Sequence, residues 1–201
     1  MLLLVAKAHQ TLLGYSQRNV GRLVGPRHYA RIEDTLRAGF LWAADNDAFS
    51  GFDETKYLRM LDAVEGVPGC LFVTCPDVVA DADATFSLYL KWSREILRRG
   101  LPLGYVAQDG ATGLPWNGIS ALFVGGSTEY KLGEDAALLV KEAKERGKWV
   151  HMGRVNSWRR VEYANSIGVD SIDGTSVSEF TNTHLPRRAE QANQAPQGVL
   201  S

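Results

Sequence analysis

From about residue 20 onward the chain alternates short apolar runs with helical stretches and glycine stops, a rhythm that few folds accommodate. The runs are NVGRLV (19–24), FLWAAD (40–45), CLFVTCPD (70–77), LGYVAQD (103–109), ALFVGG (121–126), WVHMG (149–153) and VDSID (169–173). They are rich in Val, Leu and aromatics and largely non-alternating, as expected of strands buried on both faces of a parallel sheet. Seven such runs with helical crossovers predict an α/β fold, a (β/α)8 TIM-like barrel that is compact or incomplete. Leu2–Ala6 could close it. A doubly wound open sheet is the main rival, and periodicity alone does not separate the two.

The crossovers carry their own punctuation. Asp53-Glu54 starts one helix, Tyr57, Leu58, Leu61 and Val64 give it an apolar stripe, and Gly66 ends it. A second runs from about Asp83 to Arg99 and stops at Gly100. A third, Glu134 to Arg146, has acids in its first turn, bases in its last, and Gly147 after it. The fourth spans about Ser157 to Ile167, with Gly168 as stop. Residues 1–180 therefore read as one domain, and the polar stretch 181–201, with two prolines and no apolar period, as a flexible tail.

With 201 residues, 45% hydrophobic and 22% charged, the chain can bury one ordinary globular core, so disorder and collagen-like repeats are excluded. No run approaches the roughly 20 apolar residues of a membrane span, and MLLLVAK lacks a basic n-region, so a cytoplasmic location is expected. Two cysteines, Cys70 and Cys75, are too few for a disulfide framework or a four-ligand zinc site. Lysines and arginines number 22 against 23 acids, without the basic excess of a dedicated nucleic-acid binder. Arg98-Arg99, Arg159-Arg160 and Arg187-Arg188 suit helix ends on charge alone.

Polar residues gather where the strands should end: Asp45-Asn46-Asp47, Pro76-Asp77, Gln108-Asp109, Gly125-Gly126, His151-Met152-Gly153 and Asp170 with Asp173. In α/β folds reactive groups sit at those carboxyl ends. Singly, each Asp could be a helix cap and each glycine pair a bend. Together they would put several carboxylates, an amide and a glycine pair on one rim, and like charges converging in a cleft shift one another's pKa. Two carboxylates facing one carbon suit glycosyl chemistry, one attacking and one managing protons. A glutamine and a further Asp suit the edge of a purine, which aromatic or Met side chains can sandwich.

At these residues the chain resembles the tRNA-guanine transglycosylase superfamily, and more closely its compact phage-type relatives that place 7-deazaguanines in DNA. The resemblance runs over about residues 19–180 as an ordered series of short motifs. The family's DSGGF-type segment corresponds to Asp45-Asn46-Asp47-Ala48-Phe49, which implies that Asp45 contacts the base and Phe49 stacks on it. The Asp that reads the guanine edge corresponds to Asp77, and the VQGG glutamine to Gln108. The GGLAVGE loop resembles Gly125-Gly126-Ser127-Thr128-Glu129, and the LMGVG methionine falls on Met152. The (V/I)DMFD segment resembles Val169-Asp170-Ser171-Ile172-Asp173 and makes Asp173 the nucleophile. The family's zinc site has no counterpart, and GTSVSEF stands where its PTR segment would be; both departures favour DNA over tRNA.

The resemblance thus implies base exchange by double displacement. Asp173 attacks C1′ of an extruded deoxyguanosine, and Gln108 with backbone N–H groups holds the charge on the departing guanine. Asp45 then helps remove the N9 proton of an incoming 7-deazaguanine. No cofactor and no metal enter; the partners are DNA (tRNA as alternative) and the free base, with no membrane, in the host cytoplasm if the chain is phage-encoded. Arg154, Arg159, Arg160 and Arg187 are possible phosphate contacts, with surface charge as the other reading. A hydrolase on the same barrel and a binding protein without turnover are the rival functions.

Overall fold

The computed structural model describes residues 1–6, 20–30, 32 and 39–174. The expected tail, Arg187 and the GTSVSEF positions beyond Gly174 lie outside the described residues.

Eight parallel strands close into a barrel in chain order: β1 (Leu2–Val5), β2 (Val20–Val24), β3 (Trp42–Ala44), β4 (Cys70–Thr74), β5 (Leu103–Ala107), β6 (Ala121–Val124), β7 (Trp149–Met152) and β8 (Ser171–Ile172). The last seam decides between barrel and open sheet. Leu2 pairs with Ser171 and Leu3 with Ile172, and the Leu2 amide donates to Asp170 O at 2.7 Å. The apolar start of the chain is therefore the strand that completes the ring, and the open sheet is ruled out.

Both faces of the strands are buried, which explains why the runs do not alternate in polarity. Leu2, Leu4, Leu23, Phe72, Val106 and Phe123 fill one cluster, the barrel interior. Their neighbours Leu3, Val5, Val24, Val73, Leu122 and Val124 belong to the second, larger cluster that the helices cover. The interior is tight. A Cβ on Gly21 would lie 2.9 Å from Leu4 Cδ2, and one on Gly104 would lie 3.3 Å from Phe72 Cδ2.

The helices follow their caps. In α1 (Glu54–Val64) the Asp53 carboxylate accepts from the Lys56 amide at 3.0 Å, and Tyr57, Met60, Leu61 and Val64 are buried. The next, α2 (Ala82–Leu97), starts earlier than its sequence suggests, because Asp81 rather than Asp83 is the cap, accepting from the Ala84 amide at 2.9 Å. Asp83 sits in the first turn, where the helix dipole favours an acid. A short helix absent from the sequence reading, α3 (Thr128–Lys131), precedes α4 (Glu134–Glu145). Ser157 caps α5 (Trp158–Ser166). None of the described helices is long and apolar enough to cross a membrane. Because all strands run the same way, the segments after β3, β4, β5, β6, β7 and β8 meet at one mouth.

Candidate active site

That mouth holds a cavity of about 210 Å³. Pockets for drug-sized ligands usually have roughly 300–1,000 Å³, so this one suits a single planar ring system. Asp45, Asp77, Gln108, Gly125, Gly126, Phe49 and Asp173, each expected from the sequence, all line it. Met152 does not. It is 1% exposed, packed in the layer between barrel and helices, and the residue presented to the cavity from that loop is Arg154. The alternation of side chains along β7 accounts for this: His151 points into the barrel, so Met152 points away.

Asp45 follows β3 directly, with its amide on Val24 O at 2.8 Å. Burial pushes its carboxyl up to about 8, and the nearby charges of Asp77, Asp173 and Asp47 push in the same direction. Against that, one oxygen accepts only the Asn46 amide at 2.8 Å. At neutral pH Asp45 therefore holds its proton, an acid where the sequence suggests a base.

Asn46 is wholly buried and ties two loops together. Its amide nitrogen donates to Cys75 O at 2.8 Å and Asp77 Oδ1 at 2.7 Å, and its oxygen accepts from the Ala48 amide at 2.7 Å. That last bond shapes the turn Ala48–Ser50 and presents Phe49, which is 64% exposed at the rim. Asp77 also accepts from Gln108 Nε2 at 2.6 Å, while Gln108 Oε1 takes the Ala80 amide at 2.9 Å. Gln108 thus spends its oxygen and one amide hydrogen on holding Asp77 and the 78–80 turn. Burial raises Asp77 to about 6, and the bonds from Asn46 and Gln108 oppose the rise.

The glycine pair sits where nothing larger fits. A Cβ on Gly125 would lie 2.8 Å from both Gln108 Nε2 and Val106 Cγ1. Gly126 has φ 79°, and a Cβ there would strike Asp109 Oδ2. Asp109 anchors this loop by accepting the Ser127 amide at 2.8 Å and the Ser127 hydroxyl at 2.6 Å. Burial works against its charge, but the Ser127 bonds hold its carboxyl below the usual range.

Asp173, the nucleophile implied by the resemblance, and Asp170 have different surroundings. Asp170 faces α4, where Lys144 Nζ lies 2.6 Å from it, and it also accepts the Val150 amide at 2.8 Å. Asp173 faces the cavity, with Oδ1 accepting the Arg154 amide at 2.9 Å and Oδ2 lying 3.0 Å from His151 Nε2. Lys131, buried under the same loop, donates to Gly153 O at 3.0 Å; burial and the Arg154 charge bring its ammonium down to about 8, with Asp173 resisting. His151, Lys131 and Asn46 carried no motif signal. Among the described residues no group of three or more His, Cys, Asp or Glu side chains could hold a metal ion.

No protein-family profile matches the sequence, and no curated protein matches it. Solved structures do. One is 3-hexulose-6-phosphate synthase from Salmonella typhimurium (15% identity, TM-score 0.56, 97% of this chain and 98% of that chain). Another is the Amycolatopsis orientalis BexX/CysO complex (16%, 0.57, 96% and 86%). A third is the YdjI aldolase from Escherichia coli K12 (13%, 0.57, 97% and 85%). At such identities the likeness establishes the barrel fold alone. These neighbours are not tRNA-guanine transglycosylases, so the family resemblance drawn from short motifs is overturned. The motifs mark strand ends of a TIM barrel, and polar residues at strand ends are common to many unrelated barrels.

Proposed function

We propose that this barrel is an enzyme that breaks and remakes an N-glycosidic bond to a guanine-type base, with Asp173 as nucleophile and Asp45 as proton carrier. The observation that carries the reading is the pairing in one base-sized cavity of a carboxyl that keeps its proton at neutral pH with a carboxylate anchored by two donors. Environments that push two acids apart are how one site assigns acid and nucleophile.

In the first half, an Asp173 oxygen forms a bond to C1′ while the C1′–N9 bond breaks, and its electron pair leaves with the base. Asp45 delivers its proton to the departing base, which leaves neutral. In the second half an incoming base, a 7-deazaguanine in our reading, gives its N9 proton back to Asp45. Its nitrogen then attacks C1′ and expels the Asp173 carboxylate, so the configuration at C1′ is retained. Asp77 keeps unoccupied lone pairs that suit the N–H groups of a guanine edge, and Phe49 offers a ring face. The cavity is too small for a whole nucleotide, so the sugar stays at the mouth. We take the polymer to be DNA, with the base extruded from the stack at a cost of a few kcal/mol.

The test is exchange of radiolabelled guanine, and of 7-cyano-7-deazaguanine, into DNA and into bulk tRNA, with Asp173→Asn alongside. Incorporation into DNA that the substitution abolishes is the expected result. Incorporation into tRNA alone would reassign the polymer. Abasic sites formed without added base would make the protein a hydrolase, and no reaction on either polymer would overturn the proposal.

A further inference from the structure

Behind Asp173 a file of polar side chains crosses the barrel interior. Trp149 Nε1 lies 2.9 Å from Ser171 Oγ, Ser171 Oγ lies 2.9 Å from His151 Nδ1, and His151 Nε2 lies 3.0 Å from Asp173 Oδ2. The direction of the bonds in the file follows from its two ends. An indole nitrogen can only donate, so Trp149 occupies a lone pair of Ser171. At the other end a carboxylate can only accept, so His151 Nε2 carries its proton toward Asp173. A neutral imidazole carries a single proton, and with Nε2 donating, Nδ1 accepts the Ser171 hydroxyl proton.

The ring cannot turn out of this arrangement. His151 is 0% exposed and lies between Phe72 and Phe123, with centroids 5.3 and 4.6 Å away. A Cβ on Gly153 would come within 2.7 Å of Phe123, so the backbone packs tightly against the same wall. Trp149, His151, Ser171 and Asp173 alternate along two adjacent strands, where His151 pairs with Ser171 in register. Four polar side chains in one connected file, within an interior filled mostly by Leu, Phe and Val, need a common reason, since a buried network is costly unless every member is satisfied.

We propose that His151 is a positioning residue, held as the Nε2–H tautomer between Ser171 and Asp173 so that it fixes the Asp173 carboxylate from behind. With the Arg154 amide on the other oxygen, Asp173 is gripped at both oxygens and can neither rotate nor withdraw. Each oxygen retains a second lone pair, and the residue lines the cavity. The role of His151 rests on the reading of Asp173 as nucleophile; its tautomer does not.

The two parts are tested separately. Side-chain ¹⁵N correlation NMR of the full-length wild-type chain at neutral pH should show His151 Nε2 protonated and Nδ1 bare. Ser171→Ala should shift the Nδ1 resonance, as that nitrogen loses its donor, while Asp173 keeps the proton on Nε2. An Nδ1–H imidazole in the wild type would overturn the assignment outright. In the base-exchange assay, His151→Phe keeps the ring volume and removes the donor, and should lower kcat by about 100-fold, the cost of a small misplacement of a reacting group, with KM for the base unchanged. His151→Gln, whose amide nitrogen reaches the place of Nε2, should recover most of that loss. Equal activity in the Phe variant would overturn the positioning role. If the wild type exchanges no base, the proposed reaction fails, and the NMR result still decides the tautomer.

Discussion

The Arg154 guanidinium lies 3.9 Å from the centre of the Phe49 ring, closing the cavity from opposite sides of its mouth. Arg154 follows β7 and Phe49 follows β3, and strain stands on both sides of the contact. Arg154 has φ 61° and Asp47, two residues before Phe49, has φ 60°, a conformation that disfavours side chains other than glycine. Under the proposed function the guanidinium competes with the base for a face of the Phe49 ring. A cation–π contact at an exposed site is worth about 0.5–1 kcal/mol, which a base must offset to enter. Arg154→Ala should therefore tighten guanine binding about two- to fivefold in a calorimetric or fluorescence titration. Weaker binding by the same factor would mean that the guanidinium moves onto the base instead.

Asp45 ties activity and stability to pH in a fixed direction. Its carboxyl is about 8 in the fold against an ordinary value of 3.8, so between those pH values the folded state binds a proton that the unfolded chain has lost. Stability must then fall as pH rises across that window, by up to about 1.4 kcal/mol per pH unit for this group alone. Asp77, raised to about 6, adds to the slope below that pH. Urea unfolding of wild type and Asp45→Asn should show similar stability near pH 4, with the variant the more stable at pH 8. The same substitution removes the proton carrier, so base exchange should fall at least 100-fold, on the scale of general acid–base catalysis. Exchange by the wild type should decline above about pH 8.

The two acids of the last strand should separate cleanly. Asp170 is bonded to Lys144 and to the Val150 amide, away from the cavity. Asp170→Asn loses a partly exposed ion pair worth about 0–1 kcal/mol and should leave base exchange within a few-fold of wild type. Asp173→Asn should abolish exchange and any covalent adduct trapped on the protein. Equal loss in both variants would show that the nucleophile has been assigned to the wrong carboxyl.

The barrel was readable from sequence because a parallel sheet buried on both faces leaves an unmistakable run of apolar residues, and the long helices end at a glycine and, except for α4, which Gly133 precedes, begin at an Asp or Ser cap. Even Leu2–Val5, the strand that closes the ring, carried that pattern. Most of the rim was readable too, since Asp45, Asp77, Gln108 and Asp173 each follow a run directly. What escaped was everything that depends on which way a side chain points. Met152 and His151 are neighbours of opposite orientation, and motif alignment chose the one that faces the helices. Asn46, Lys131 and the Trp149–Ser171–His151 file act through bonds between residues 20 to 31 positions apart, and local pattern holds no trace of those bonds. The proton on Asp45 is a property of burial among three other acids, which exists only once the loops have met. Family identity failed for a related reason, because polar residues at strand ends belong to the barrel architecture as such.

Gly126 supplies the sharpest test of the loop that walls the cavity beside Gln108. Its φ of 79° favours glycine, and a Cβ would collide with Asp109, whose oxygens hold the Ser127 amide and hydroxyl. Gly126→Ala therefore meets two penalties, a left-handed backbone and a displaced half-buried carboxylate. Together they should cost about 1–3 kcal/mol of stability, read as a lower urea midpoint with unchanged slope. Moving Asp109 also frees the start of α3, and with it Lys131, whose bond to Gly153 O steadies the turn that presents the Arg154 amide to Asp173. Exchange should thus weaken in kcat as well as in KM for the base. A variant that lost stability but kept wild-type kcat would separate the Gly125-Gly126 loop from the Asp173 side of the site.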